Sequence, residues 1–162
     1  MKKWILPLTL LTCLLLISVA QAASDPSYTP PGASYSLTYS ANPDGTISIT
    51  GWSGDAQGEL ILPDVIDGKA VIMISSGAFN GCSGFTGTLT IPSSVTQIGN
   101  NAFNGCSGFT SLSLPEGLTS IDYYAFSKCT GFTGDLVIPD SITYLGSSAF
   151  DGCSGFSGNL SI

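Results

Sequence analysis

The sequence predicts a repeat solenoid: a stack of short parallel β-strands, with single helical turns on the opposite side and a β-hairpin cap at the N-terminal end. The first observation is that AFNGCSGFTG, at 78–87, returns in closely similar form from 102, 125 and 149. The second is that the phenylalanines of the four AF pairs are 23 or 24 residues apart, at 79, 103, 126 and 150. A fixed period of this length is typical of solenoids, in which each repeat buries its apolar face against its neighbours.

Residues 1–22 have the composition of a secretory signal peptide. Lys2 and Lys3 form a basic start, 4–19 is mostly apolar, and Ala-Gln-Ala at 20–22 places small residues before a signal-peptidase site. We therefore expect cleavage after Ala22 and export, so that the protein is secreted or held at the cell surface. We expect no membrane span after this cleavage.

The side-chain charge is strongly negative once residues 1–22 are removed. Lys69 and Lys128 are then the only cations, and two cations against eleven Asp and Glu give a net charge of −9. The chain has neither Arg nor His. Nucleic-acid binding is excluded because no basic patch can neutralise phosphates, and attraction to an anionic membrane surface is disfavoured.

Two segments precede the repeats. Residues 23–34 are rich in Pro and Ser and are predicted to form an extended linker. Residues 35–59 are predicted to form a hairpin cap, because apolar and polar residues alternate at 35–40 and at 46–50. Between these stretches, Pro43 and Gly45 are typical of a tight turn. The repeats are predicted to extend over 60–162, in about four copies.

Each repeat is predicted to contain two short extended segments and one turn. In the L-x-[IL]-P segment at 112–115, the two leucines would point inward and Ser113 outward, because side chains alternate along a strand. A second extended piece, such as 95–98, also sends two apolar residues inward. The A-F-x-x-C spacing then places Ala, Phe and Cys on one face of a single helical turn. We expect a left-handed glycine to end each turn. These glycines are Gly84, Gly108, Gly131 and Gly155.

The cysteines of the repeats are expected to be buried free thiols. They are Cys82, Cys106, Cys129 and Cys153. Helical turns need about 10 Å of width, more than the Cα separation of about 4.4–6.8 Å that a disulfide requires. Export nevertheless permits disulfides, which stay the alternative. No C-x-x-C pair or histidine favours a metal site, and the carboxylates are scattered over different repeat positions. We therefore predict no catalytic residue, no metal and no cofactor.

The cadence x-x-A-F-x-x-C-x-x-L-x-x-[IL]-x-[IL]-P, seen here at 102–115, resembles the BspA-like class of leucine-rich repeats, common in exported bacterial surface proteins. The resemblance covers 60–162. One departure is that phenylalanine replaces the usual leucine after C-x-x in all four copies, at Phe85, Phe109, Phe132 and Phe156. The resemblance implies binding or adhesion through a repeat surface, and it implies no particular ligand and no active site.

The predicted function is non-catalytic recognition of a protein partner through this surface. Helical turns take more room than strands about 4.8 Å apart, so the stack is expected to curve with its strands on the concave side. The candidate binding residues are the outward strand positions and their forerunners: Thr88, Thr90, Ser111, Ser113, Asp135 and Val137. The alternatives are a structural spacer for another domain and a carbohydrate-binding module. Carbohydrate binding would use exposed aromatic residues, for which the candidates are Tyr123, Tyr124 and Tyr144.

The repeat pattern also bears on the C-terminal end. A proline follows the AF phenylalanine by thirteen residues at 79–92 and at 126–139, and by twelve at 103–115. Counting thirteen from Phe150 gives position 163. We therefore expect the array to continue beyond Ile162.

Overall fold

The structure is a computed structural model that describes residues 26–161, in which twelve β-strands account for the regular secondary structure. The strands are β1 (Ser27–Tyr28), β2 (Tyr35–Ala41), β3 (Ile47–Gly54), β4 (Val65–Ile66), β5 (Lys69–Ile74), β6 (Gly87–Thr90), β7 (Gln97–Ile98), β8 (Phe109–Ser113), β9 (Ser120–Ile121), β10 (Gly134–Val137), β11 (Tyr144–Leu145) and β12 (Phe156–Ser161). The predicted signal peptide and the first three residues of the predicted linker lie outside the described residues. Across 26–161, no helix is long and apolar enough to cross a membrane.

The main sheet runs along one side of the stack in the order β1-β2-β3-β5-β7-β9-β11. β1, which lies in the segment predicted as a linker, pairs antiparallel with β2, and β2 pairs antiparallel with β3. From β3 onward the pairs along this order are parallel. Ile74, Ile98, Ile121 and Leu145 are in register, so equivalent apolar residues form one column.

A second row of strands comes from the L-x-[IL]-P segments. β6 pairs in parallel with β8, and β10 with β12, whereas β8 and β10 are not paired as strands. The β8 segment is one residue shorter than its neighbours, since Pro115 follows Phe109 by six residues and Pro139 follows Phe132 by seven. The same one-residue difference separates the β6 and β8 segments, which pair with a register shift between Gly87 and Thr88. The first such segment, 60–63, forms no strand.

The A-F-x-x-C segments form hydrogen-bonded turns, so the predicted single helical turns are wrong. Within one segment, the Cys106 N–H donates to the Phe103 carbonyl at 3.1 Å. The Phe103 N–H donates instead to the next repeat, to Ala125 at 2.7 Å, and the Gly105 N–H donates to Ser127 at 2.8 Å. An α-helix would use each N–H for a carbonyl four residues earlier in its own segment. A backbone N–H supplies one donor, so these bonds to the next repeat exclude a helix.

The hydrogen bonds between the turns of successive repeats also change the geometry expected of the stack. Successive repeats are hydrogen-bonded to each other on the turn side as well as on the strand side. The extra width of a helical side is absent from residues 26–161. The expected concave strand face had that width as its premise, and the premise is wrong.

Two columns of phenylalanine rings fill the interior. In the first column, Phe103 stacks on Phe79 with ring centroids 5.2 Å apart and on Phe126 at 5.4 Å, and both pairs are within 3° of parallel. The second column consists of the phenylalanines that replace the usual leucine: Phe85, Phe109, Phe132 and Phe156. The columns meet edge to face, as between Phe126 and Phe132 at 6.3 Å and 61°.

The glycine before each phenylalanine of the second column has a different role from the one predicted. None of these four glycines has the positive φ expected of a turn-ending residue. A Cβ atom on Gly131 would instead overlap the backbone carbonyl oxygens of Ser107 and Phe109 in the preceding repeat. Glycine is required here because two layers approach closely.

Candidate partner-binding surface

The six predicted binding residues lie on β6, β8 and β10. Thr88 is in register with Ser111, and Thr90 with Ser113. Asp135 and Val137 lie on β10, beyond the break between β8 and β10. Five of the six are exposed and Ser111 is half-buried. Val137 is the one apolar residue among them, and it is 57% exposed. The structure thus brings the first four residues together in one strand pair and places the other two in a second pair.

Hydrogen bonds between repeats hold three of the polar side chains of this surface, those of Thr88, Ser111 and Asp135. Thr88 Oγ1 and Ser111 Oγ are 2.7 Å apart, and the Asn159 N–H donates to Asp135 Oδ1 at 2.7 Å. The Thr133 hydroxyl donates to the Thr110 carbonyl at 3.0 Å, which links the two strand pairs across the break. Sequence reasoning missed Thr110 and Thr133, although their equivalent places in successive repeats could have indicated them. The surface thus offers small side chains, three of which are held by hydrogen bonds.

A second exposed patch lies beside the main sheet. We call Tyr123, Tyr124 and Tyr144 the tyrosine patch; their exposed fractions are 47%, 45% and 41%. The rings of Tyr123 and Tyr144 are nearly perpendicular, at 79°, with centroids 6.1 Å apart. Asp122 precedes the first of them and accepts a hydrogen bond from Ser120 Oγ at 2.9 Å. The neighbouring Tyr123 hydroxyl, and to a smaller extent the charge of Asp122, raise the pKa of Tyr144 to about 12.

The four cysteine thiols are free, as predicted, although the reason given for this was wrong. Their repeats are not held apart by helices. The thiols of the last three cysteines each donate to a carbonyl of the preceding repeat, as from Cys106 Sγ to the Phe79 carbonyl at 3.0 Å. Equivalent cysteines in stacked repeats point the same way, whereas a disulfide needs Cβ atoms that face each other. Burial raises the pKa of Cys82 to about 11 and that of Cys106 to about 12. Within residues 26–161, no three Cys, Asp or Glu side chains converge as metal ligands.

We expect a chain that begins at Ala23 to show one readily accessible thiol at pH 8, that of Cys153, and four after denaturation. Cys153 is half-buried, whereas the other three are buried, and the adjacent Cys129 thiol lowers the pKa of Cys153. Only the thiolate reacts with a disulfide reagent, so raised pKa values protect the buried thiols. Titration with a chromogenic disulfide reagent, without reductant, would measure both numbers. Fewer than four thiols in denaturant would mean that a disulfide forms.

The stacked, hydrogen-bonded layers and the outward strand residues define a β-solenoid of the leucine-rich-repeat class. Residues 64–159 match the model of the BspA type leucine-rich repeat region in six copies, which is more than half of the chain. The chain therefore belongs to this family, and the predicted resemblance is confirmed. The family model counts six copies where the sequence predicted about four.

Solved structures of leucine-rich repeat proteins are similar to this chain. The one from T. pallidum is 30% identical with a TM-score of 0.62, and the match covers 76% of this chain and 67% of that one. The one from Bacteroides capillosus is 24% identical with a TM-score of 0.59, over 83% and 97% of the two chains. The one from Bacteroides ovatus is 27% identical with a TM-score of 0.55, over 78% and 39%. None of the curated proteins matches.

Proposed function

We propose that the chain is a non-catalytic recognition module, exported to the cell surface or beyond, that binds a protein partner through its repeats. The observation that carries the proposal is the row of small outward side chains on β6, β8 and β10, which we call the strand face (Thr88, Thr90, Ser111, Ser113, Asp135 and Val137). Hydrogen bonds between repeats already fix its backbone. Binding therefore orders little that was free before, which lowers its entropic cost.

The N-terminal strands support this role as a cap. Tyr35 and Leu37 on β2, and Ile47 and Ile49 on β3, are buried at the start of the stack. Repeat arrays need such a layer at their ends, because the first repeat would otherwise expose its apolar face to water. We propose that β2 and β3 stabilise the array and that recognition takes place on the repeats.

The test is a double variant, Ser113→Arg with Val137→Arg, which places two bulky cations on the strand face. Both positions are exposed, so we expect the fold to persist, as circular dichroism would show. We expect affinity for a protein partner, isolated by pull-down and then purified, to fall at least about tenfold, or roughly 1.4 kcal/mol.

The matched control is Ser107→Arg with Thr130→Arg, which adds the same charge to the same two repeats at exposed turn positions. This control should bind as the wild type does. Unchanged affinity in the folded strand-face variant would contradict the proposed site. A glycan array run in parallel tests the alternative of a carbohydrate-binding module, and failure of both assays would favour a spacer.

A further inference from the structure

The tyrosine patch departs from the repeat pattern at all three of its positions. Counting from the in-register column of Ile98, Ile121 and Leu145 gives the equivalent residues of the neighbouring repeats. The equivalents of Tyr123 are Asn100 and Ser147. Those of Tyr124 are Asn101 and Ser148, and those of Tyr144 are Gln97 and Ser120. The rings of Tyr123 and Tyr144 thus meet at one junction, where the neighbouring repeats have small or polar side chains and the first repeat has Met73 at the position of Tyr144. Variation at exposed positions of a regular scaffold is where a binding site would be expected.

Tyr124 is held in a backbone conformation that does not favour it. Its φ is 56°, in the left-handed region, where the equivalent residues are Gly77, Asn101 and Ser148. Glycine and asparagine adopt this region readily, whereas a bulky residue rarely does. The scaffold would accept a smaller residue here with less strain. Strain of this kind accumulates at functional sites, which makes the exposed ring a candidate binding residue.

The geometry of the patch suits a positive charge better than a sugar. The perpendicular rings of Tyr123 and Tyr144 form two walls of a corner, whereas a sugar ring stacks on a flat aromatic platform. Aromatic faces carry the negative part of the ring quadrupole and attract cations. The Asp122 carboxylate is close enough to Tyr144 for its charge to act on that hydroxyl, and it has one side-chain donor, Ser120. The chain after residue 22 has a net charge of −9, from two Lys against eleven Asp and Glu, which adds long-range attraction for a basic partner.

We infer that the tyrosine patch and Asp122 bind an arginine or lysine side chain from a basic segment of the protein partner. This inference rests on the proposed function, since it names the chemistry of the partner. The cation lies in the corner between the Tyr123 and Tyr144 rings, and the Asp122 carboxylate balances its charge. Tyr124 extends the apolar surface for the aliphatic stem of the same side chain.

The probe is an arginine-rich peptide, compared with a peptide of the same length in which citrulline replaces each arginine. Citrulline keeps the shape of the side chain and removes its charge. We expect isothermal titration calorimetry to show binding of the arginine peptide and at least roughly tenfold weaker binding of the citrulline peptide, a difference that shrinks as salt rises. We expect Tyr144→Ser to weaken binding by roughly threefold to thirtyfold, and Tyr144→Phe to retain it because the ring face remains.

Serine is the residue that the neighbouring repeat carries at the position of Tyr144, so the fold should tolerate Tyr144→Ser. Asp122→Asn should also weaken binding, whereas Asp151→Asn, which removes the same charge from an exposed turn, should not. Equal affinity for both peptides, or for wild type and Tyr144→Ser, would overturn the inference. Binding of a neutral oligosaccharide to the wild type but not to Tyr144→Ser would also overturn the inference, because the patch would then be a sugar site.

Failure of this inference is distinguishable from failure of the proposed function. Suppose that a purified protein partner binds the wild type and Tyr144→Ser equally well and binds the strand-face double variant more weakly. That result would support the proposed function and overturn the tyrosine patch as the binding site. A partner that requires the tyrosine patch and tolerates the strand-face variant would support the inference and move the site. If no protein partner binds, the peptide measurements still decide whether the patch takes a cation.

Discussion

Replacing Phe103 with alanine is expected to lower the free energy of unfolding by roughly 3–5 kcal/mol. The ring is fully buried and lies between Phe79 and Phe126, with centroid distances of 5.2 and 5.4 Å. Truncation removes both stacking contacts and leaves a cavity in the column. The neighbouring rings cannot close this cavity, because hydrogen bonds between repeats, such as Phe103 N–H to Ala125, hold the layers apart at a fixed spacing.

The matched control is Phe150→Ala, in the last ring of the same column. This ring stacks on Phe126 at 5.2 Å and is only partly buried, so less apolar surface leaves the interior when it is truncated. We expect its cost to be clearly smaller than that of Phe103→Ala. Urea denaturation followed by circular dichroism would measure both. Equal losses in the two variants, or none in Phe103→Ala, would contradict the stacked column.

The period of the sequence was enough to predict the stack, whereas the form of its turns was not predictable from one repeat. The spacing of Ala, Phe and Cys at i, i+1 and i+4 fits a helical turn and a hydrogen-bonded tight turn equally well. The deciding bonds are those of Phe103 to Ala125 and of Gly105 to Ser127, which join residues 22 apart in sequence. A local pattern carries no information on where such donors go.

The candidate surfaces show the same division between local and long-range information. Alternation along a strand placed Ser113 and Val137 on the outside, where the structure has them. The shortened segment before Pro115 was visible in the spacing, but the break between β8 and β10 depends on how neighbouring strands pair. Tyr123 and Tyr144 were visible as aromatic residues in adjacent repeats. Their perpendicular corner follows from the register of β9 and β11, which the sequence does not state.

Gly131→Ala is expected to lower the free energy of unfolding by about 3 kcal/mol, the upper end of the usual cost of overpacking. A methyl group there would overlap the carbonyl oxygens of Ser107 and Phe109. Both are backbone atoms, and backbone cannot rotate away as a flexible side chain can. The two repeats would have to separate, which would lengthen the hydrogen bond from Thr133 N–H to Thr110, now 2.9 Å. Thermal unfolding followed by circular dichroism would measure the loss.

Gly117→Ala is the matched control, because it adds the same methyl group at a glycine with room for it. The nearest atom would be the Ser93 carbonyl oxygen at 3.7 Å, which is an ordinary contact, and the φ of Gly117 is not left-handed. Alanine also restricts the unfolded chain more than glycine does, so this variant should be unchanged or more stable by up to about 1 kcal/mol. The two substitutions are identical in chemistry, and only Gly131→Ala is expected to destabilise the protein. If Gly131→Ala melted at the wild-type temperature, the repeats would lie farther apart than the carbonyl contacts of Gly131 require.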